Sequence, residues 1–238
     1  MWMKKKSRFF KFKKEKKSNT PLISEYSGWN GSKVIKIKFR SGQIIDNNFI
    51  VKKFSTIANK EKILVITSGH LEIEINNKKY QLKKFDSLSL FSDKISYKIK
   101  CVKSADLYLI SSKKLSIKKI RPKLFNFKRD VTAKNLWGGK CISRPYLGKD
   151  LNLVLFNLKP GFKFDDKGHL NEQITWLIKG KMNFYSKNIK GYLNKFNGVD
   201  VGPYHQHGGI SRGAVGFDAF FPKRKEKNYK QLTKTIYI

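Results

Sequence analysis

The chain has 238 residues, with 52 Lys+Arg against 17 Asp+Glu and a formal net charge of +35. Its length suits one large domain or two of about 100–120 residues, and 39% hydrophobic with 13% aromatic residues is too apolar for a disordered chain. No apolar run reaches the roughly 18 residues of a membrane helix, and the basic N-terminus lacks the apolar core of a signal peptide.

Residues 1–26 read as a basic tail. Nine Lys/Arg stand against Glu15 within residues 1–17. Such a block is either solvated or a weak anchor for anionic lipid or RNA, with Trp2, Phe9, Phe10 and Phe12 as apolar contacts. The charge as a whole does not make nucleic acid the expected partner. Seven arginines leave 45 lysines, alanine occurs five times, and Lys, Asn, Ile, Phe and Tyr abound. That skew follows A/T-rich codons, whereas surfaces built to read bases and phosphates favour arginine.

After the tail the chain reads as short strands. Ile63–Ile66 is apolar and Leu71–Ile75 alternates, with Glu72 and Glu74 on one face. Asn76-Asn77 supplies a tight turn, and Lys79–Leu82 returns as a hairpin. Further strands are expected at Ser87–Phe91, Tyr97–Val102 and Leu107–Ile110. Helical periodicity is scarce, so a sandwich or barrel is expected. Cys101 and Cys141 lie in no CxxC pattern, which suits a reduced, cytoplasmic protein.

The same grammar returns later. EKILVITSGHLEIEI (61–75) and EQITWLIKGKMNFYS (172–186) each begin with Glu, run through apolar residues to a Gly eight positions on, and continue as an alternating strand. The offset from Glu61 to Glu172 is 111 residues. Two β-domains are therefore expected, at 27–120 and 121–238, with a boundary near Lys118–Asp130. Gly69 and Gly180 are expected at turns needing positive φ or close approach.

The histidines sharpen the picture. Of four, His169, His205 and His207 fall in the second copy. In PGFKFDDKGHLNEQITWLIKG (160–180), His169 precedes Gln173 by four and Gln173 precedes Gly180 by seven. In PYHQHG (203–208), His207 follows Pro203 by four. This arrangement resembles the cupin superfamily: a Pro-Gly turn, an HxHxxxE/Q strand, a Gly-ended strand and a later His after Pro. The Pro-to-His gap is about one residue shorter than the usual one. The resemblance implies an all-β fold of two tandem double-stranded β-helix (jelly-roll) barrels, a bicupin. It implies His169, Gln173 and His207 as ligands of a divalent metal such as Mn, Fe, Ni or Zn, which suits imidazole nitrogen with an amide or carboxylate oxygen. The pattern's first His falls on Lys167, a poor ligand, and His205 could fill that gap. The alternative is that these residues line a metal-free pocket.

Shifting by 111 puts Ala58 opposite His169 and Lys62 opposite Gln173, so the first barrel is expected to be degenerate and without metal. DAFFPKR (218–224) resembles the D-x-F-x-P-x-R segment of small cupins that linearise unsaturated uronates in pectin breakdown. There Asp218, Phe220 and Arg224 would act with the metal: Asp218 moving a proton, Arg224 pairing with a substrate carboxylate. Strand parity places Thr175 inward beside Gln173 and sends Glu172 and Trp176 outward. Arg144 and Tyr146 are expected to line an early strand near the substrate.

The expected function is a metal-dependent enzyme, an isomerase or ring-opening lyase, acting on a small carboxylated molecule, with the uronate resemblance pointing to a sugar-derived one and to carbohydrate metabolism. The alternatives are a cupin dioxygenase and a non-catalytic small-molecule-binding bicupin. Sheet edges offer a route to a homodimer.

Overall fold

The computed structural model describes residues 6–12, 20–90, 95–115, 121–224 and 236–237. Strand accounts for 64% of the described residues and helix for 5%, so the fold is all-β. The first strand is β1 (Arg8–Lys11), followed by β2 (Leu22–Ser27), β3 (Lys33–Phe39) and β4 (Ile44–Asp46). A short helix, α1 (Asn47–Lys53), begins where the Asp46 carboxylate accepts the Phe49 N–H at 2.7 Å. Then come β5 (Lys60–Ile75), β6 (Lys78–Leu82), β7 (Asp86–Leu90), β8 (Tyr97–Leu115) and β9 (Lys123–Asn126). The second half holds β10 (Lys134–Leu136), β11 (Cys141–Leu147), β12 (Asn152–Leu158), β13 (Lys163–Asp166), β14 (Glu172–Ser186), β15 (Ile189–Leu193), β16 (Asn197–Val201) and β17 (His207–Phe221). A two-residue strand, β18 (Ile236–Tyr237), pairs with β9.

These strands make two antiparallel sheets. One runs β18-β9-β7-β5-β8-β3-β2, with β4 on β8 and β6 on β5. The other runs β1-β16-β14-β17-β12-β11-β10, with β13 on β17 and β15 on β14. Each belongs to its own compact unit. The C-terminal unit takes the described residues of Met1–Phe12, Gly28–Gly31 and Val131–Thr233. The N-terminal unit takes those of Lys13–Ser27, Ser32–Asp130 and Lys234–Ile238.

The internal repeat is visible in the pairing. Lys62 faces Leu90 as Gln173 faces Val201, and β6 and β15 return from their partners at equivalent places. The Asn76-Asn77 turn has φ of 49° and 64°, the paired positive angles of a type I′ hairpin. Gly69 and Gly180 do have positive φ, 82° and 81°, but they sit inside long strands rather than at turns. They mark bulges. The register of β14 on β17 shifts between Leu177 and Lys179 and again between Gly180 and Met182. The strand bends there, so its first half pairs with β16 and its second half with β15. One sheet thereby folds back over its own apolar face as a barrel.

The close approach makes Gly180 irreplaceable. A Cβ there would lie 1.7 Å from the Gly213 carbonyl oxygen, and one at Gly69 would lie 2.1 Å from that of Ser104. Gly180→Ala is expected to destabilise the C-terminal unit by about 3 kcal/mol or more, read by chemical denaturation.

The basic-tail reading is corrected in two places. Leu22–Ser27 forms β2 on β3, and Arg8–Lys11 forms β1 on β16, while residues 1–5 and 13–19 lie outside the described residues. The reason is alternation within a basic stretch. Phe10 is buried, in contact distance of Gly198, whose missing side chain leaves room for the ring. Phe9 packs edge-on to Phe184 at 6.4 Å. Arg8 reaches the buried Asp200 carboxylate at 3.5 Å and lies 3.9 Å over the Trp29 ring.

Glu172 does point away from the cavity described below, yet it is fully buried. Its carboxylate accepts the backbone N–H of Trp29 and, at 3.3 Å, that of Asn30, tying residues 28–31 into the C-terminal unit. Glu172→Ala is expected to cost about 2–4 kcal/mol, because those buried donors lose a charged acceptor. A smaller change in the denaturation midpoint would show that this segment is held by other contacts.

Candidate metal centre

The C-terminal barrel encloses a cavity of about 380 Å³. Its polar end is built by three chain segments. β13 pairs with the start of β17, and the register sets Asp166 directly opposite His207. The loop after β13 carries His169 back toward them. Asp166 Oδ1 accepts the Gly168 N–H at 2.8 Å, and the His169 carbonyl accepts the Tyr204 N–H at 2.7 Å. As a result one potential ligand atom from each of Asp166, His169 and His207 lies within 4.8 Å of the others. Among the described residues no other His/Cys/Asp/Glu group of this kind occurs.

Hydrogen bonding sets the imidazole tautomers. A carbonyl can only accept, so His207 Nδ1–H donates to the His205 carbonyl at 2.9 Å, leaving the Nε2 lone pair bare. Gln173 Nε2 donates to Thr175 Oγ1 at 2.9 Å and to Asp218 Oδ1 at 3.1 Å. Its Oε1 therefore accepts His169 Nε2–H at 2.9 Å. His169 Nδ1 is left buried without a hydrogen-bond partner. Burial lowers the pKa of both imidazoles, so they are neutral near pH 7 and keep their lone pairs. A divalent cation fits this donor set of two neutral imidazoles and one carboxylate, and the orphaned His169 Nδ1 is the kind of buried group that a ligand completes.

The candidate residues separate on this geometry. His169 and His207 come together, their rings 5.4 Å apart and edge to face. Gln173 lies beside them, bonded to His169 and Asp218. His205 does not join. It stands in the turn before β17, and its Nδ1 is 2.8 Å from Ser7 Oγ, on the segment leading into β1. The expectation that it fills the gap left by Lys167 fails because β17 begins only at His207, so the two-residue spacing does not put both rings on one strand face. Asp166 was missed: the motif's vacant ligand slot falls on Lys167, and the carboxylate stands one residue earlier, in an Asp165-Asp166 pair.

Asp218, Phe220 and Arg224 line the same cavity. Asp218 is half-buried and accepts Thr175 Oγ1–H at 2.5 Å. Burial pushes its carboxyl up to about 6, against the two hydrogen bonds and the Arg224 charge, which pull it down. Phe220 lies 5.3 Å from the His169 ring, and the Arg224 guanidinium stands 5.6 Å over Phe220. Arg224 Nη1 is 3.9 Å from Asp166 Oδ2. Thr175 lines the cavity as parity requires, and Trp176 turns away to stack on Phe217 at 5.6 Å. Arg144 and Tyr146 are corrected. Cys141, Ser143 and Pro145 of β11 line the cavity, so the alternate residues Arg144 and Tyr146 lie on the other face of that strand.

In the N-terminal barrel, Lys62 occupies the position of Gln173 and is buried, its Nζ donating to the Lys60 carbonyl at 3.2 Å.

No protein-family model matches the sequence, and no curated protein sequence matches it. Solved structures do match in shape. A cupin 2 conserved barrel domain protein from Leptotrichia buccalis superposes with a TM-score of 0.61 at 14% identity, covering 87% of this chain and 91% of that one. AerE from Microcystis aeruginosa gives 0.70 at 11% identity, over 90% and 98%. Bacillus subtilis oxalate decarboxylase, described with Mn(II) centres, gives 0.66 at 8% identity, over 97% and 79%. The fold is therefore that of the cupins. No described helix is long and apolar enough to cross a membrane.

Proposed function

We propose that the C-terminal cavity is the active site of a metal-dependent enzyme that isomerises or ring-opens a small carboxylated molecule. The observation that carries this reading is the convergence of Asp166, His169 and His207, two of which, Asp166 and His207, line a cavity together with Asp218 and Arg224. Asp166, His169 and His207, with the Gln173 oxygen adjacent, would hold a divalent metal of the Mn, Fe, Ni or Zn type, whose Lewis acidity would polarise a substrate oxygen.

The other roles belong to the chain itself. Arg224 offers a planar pair of N–H donors to a carboxylate. Asp218, with its carboxyl pushed up to about 6, can take and return a proton near neutral pH. In an isomerisation it would remove a proton from the carbon beside a carbonyl and return it at the neighbouring carbon or oxygen, so nothing is gained or lost overall. Gln173 and Thr175 hold Asp218 in place while Gln173 also orients His169.

The test is metal content of the purified chain, followed by addition of Mn, Fe, Ni or Zn to metal-free protein. One equivalent per chain supports the reading. No stoichiometric metal, before or after addition, would overturn it.

A further inference from the structure

The substrate's carboxylate end and its body meet different walls, and the body's wall identifies its chemistry. This inference rests on the cavity being the substrate site as proposed above. From the polar end an unbroken series of ring contacts runs outward. Phe184 stacks on His207 at 6.1 Å and meets Phe164 at 6.5 Å. Phe164 stacks on Phe162 at 6.3 Å, and Phe162 meets Trp137 at 5.2 Å. All but Trp137 are buried or half-buried, while Trp137 is 60% exposed although it lines the cavity. It is held at φ 51° in a turn completed by Gly138 and Gly139.

Several polar side chains of the same cavity are already engaged with one another, and Lys134 and Ser143 line it where β10 pairs with β11. Gln173, Thr175 and Asp218 bond to one another. Asp165 accepts from Tyr185 and Gln206. Hydroxyls placed along the phenyl rings would lose their water without replacement. A flat apolar body instead gains offset and edge-to-face contacts along the series.

We infer that the cavity takes an aryl carboxylate, or a similarly planar conjugated acid, with its carboxylate at Arg224 and its apolar body along Phe184, Phe164, Phe162 and Trp137. A uronate or other polyhydroxylated acid is the wrong shape of polarity for this wall.

The test is calorimetric titration of the full chain with trans-cinnamate and, separately, with galacturonate, each with and without added Mn. Cinnamate is expected to bind at least about tenfold more tightly than galacturonate. Trp137→Ala is expected to weaken cinnamate about tenfold with the melting temperature unchanged, since this side chain is mostly exposed. Arg224→Gln is expected to weaken it by a similar factor. Galacturonate binding as tightly as cinnamate, no cinnamate binding, or indifference of cinnamate to both substitutions would each overturn the inference. Cinnamate binding in a chain that takes up no metal would leave this inference standing and remove the metal-enzyme reading. Metal uptake with a preference for galacturonate would do the reverse.

Discussion

His207→Ala is expected to lower divalent-metal affinity about a hundredfold or more and to abolish activity with it. His207 is only 2% exposed, and its Nδ1–H is committed to the His205 carbonyl, so the bare Nε2 is the nitrogen it presents. Its removal leaves Asp166 on a strand edge and His169 on a loop, with no third ligand from β17 to close the set. The measurements are metal per chain after dialysis and the rise in melting temperature on adding metal. A ligand that binds only the folded state raises stability with the logarithm of its concentration over Kd, so at the same metal concentration the variant's rise is expected to be much smaller than the wild type's. His205→Ala is the matched control. It removes a ring bonded to Ser7 and is expected to leave metal affinity within a few-fold of wild type. Wild-type metal binding by His207→Ala would show that the ligand set lies elsewhere. Equal losses in both variants would point to a general collapse of the 203–207 turn.

Asp218→Asn is expected to change activity and stability in opposite directions. Loss of the proton-moving carboxyl should lower kcat by about 10²–10⁴-fold. Asn keeps the oxygen that accepts from Thr175 and Gln173, so the network around His169 survives. The stability sign follows from the raised pKa. The folded carboxyl titrates at about 6 and the ordinary one at 3.8, so between these values the folded chain holds a proton that the unfolded chain has released. Stability therefore falls as pH rises through that window, and above it the folded chain carries a half-buried charge. Asp218→Asn removes that charge and is expected to stabilise the C-terminal unit by about 2–3 kcal/mol at pH 8, with the gain disappearing below about pH 4. Thermal melts at pH 4, 6 and 8 read it directly. A variant equally active, or destabilised at pH 8, would remove Asp218 from the proposed chemistry.

Much of the fold was legible along the chain. The Asn76-Asn77 hairpin, the 111-residue repeat and the two positive-φ glycines follow from alternation and from local backbone needs, which neighbouring residues report. His169, Gln173 and His207 stood out because their spacing from neighbouring Pro and Gly residues matches a motif, although His169 sits on the loop before β14 rather than on a strand. The pairing of β1 was not legible. Its partner Asp200 lies far along the chain, and a short alternation among lysines looks the same whether solvated or docked. Arg144 and Tyr146 went to the wrong face because every residue of CISRPYL is at least half-buried, so polarity does not tell one face of β11 from the other.

What the sequence by itself determined, then, is the strand grammar, the duplication and two of the three residues that converge at the candidate centre. Period-two alternation and turn chemistry are short-range properties, and they survive in a one-dimensional reading. The tertiary structure alone decided that Asp166 is the third. That choice depends on β13 pairing with β17 in the register that sets Asp166 opposite His207. It also decided that His205 turns to Ser7 and that aromatic rings line the cavity beyond the polar end. Each of these is a long-range pairing, and its outcome is set by how separate strands slide against one another, which no local pattern encodes.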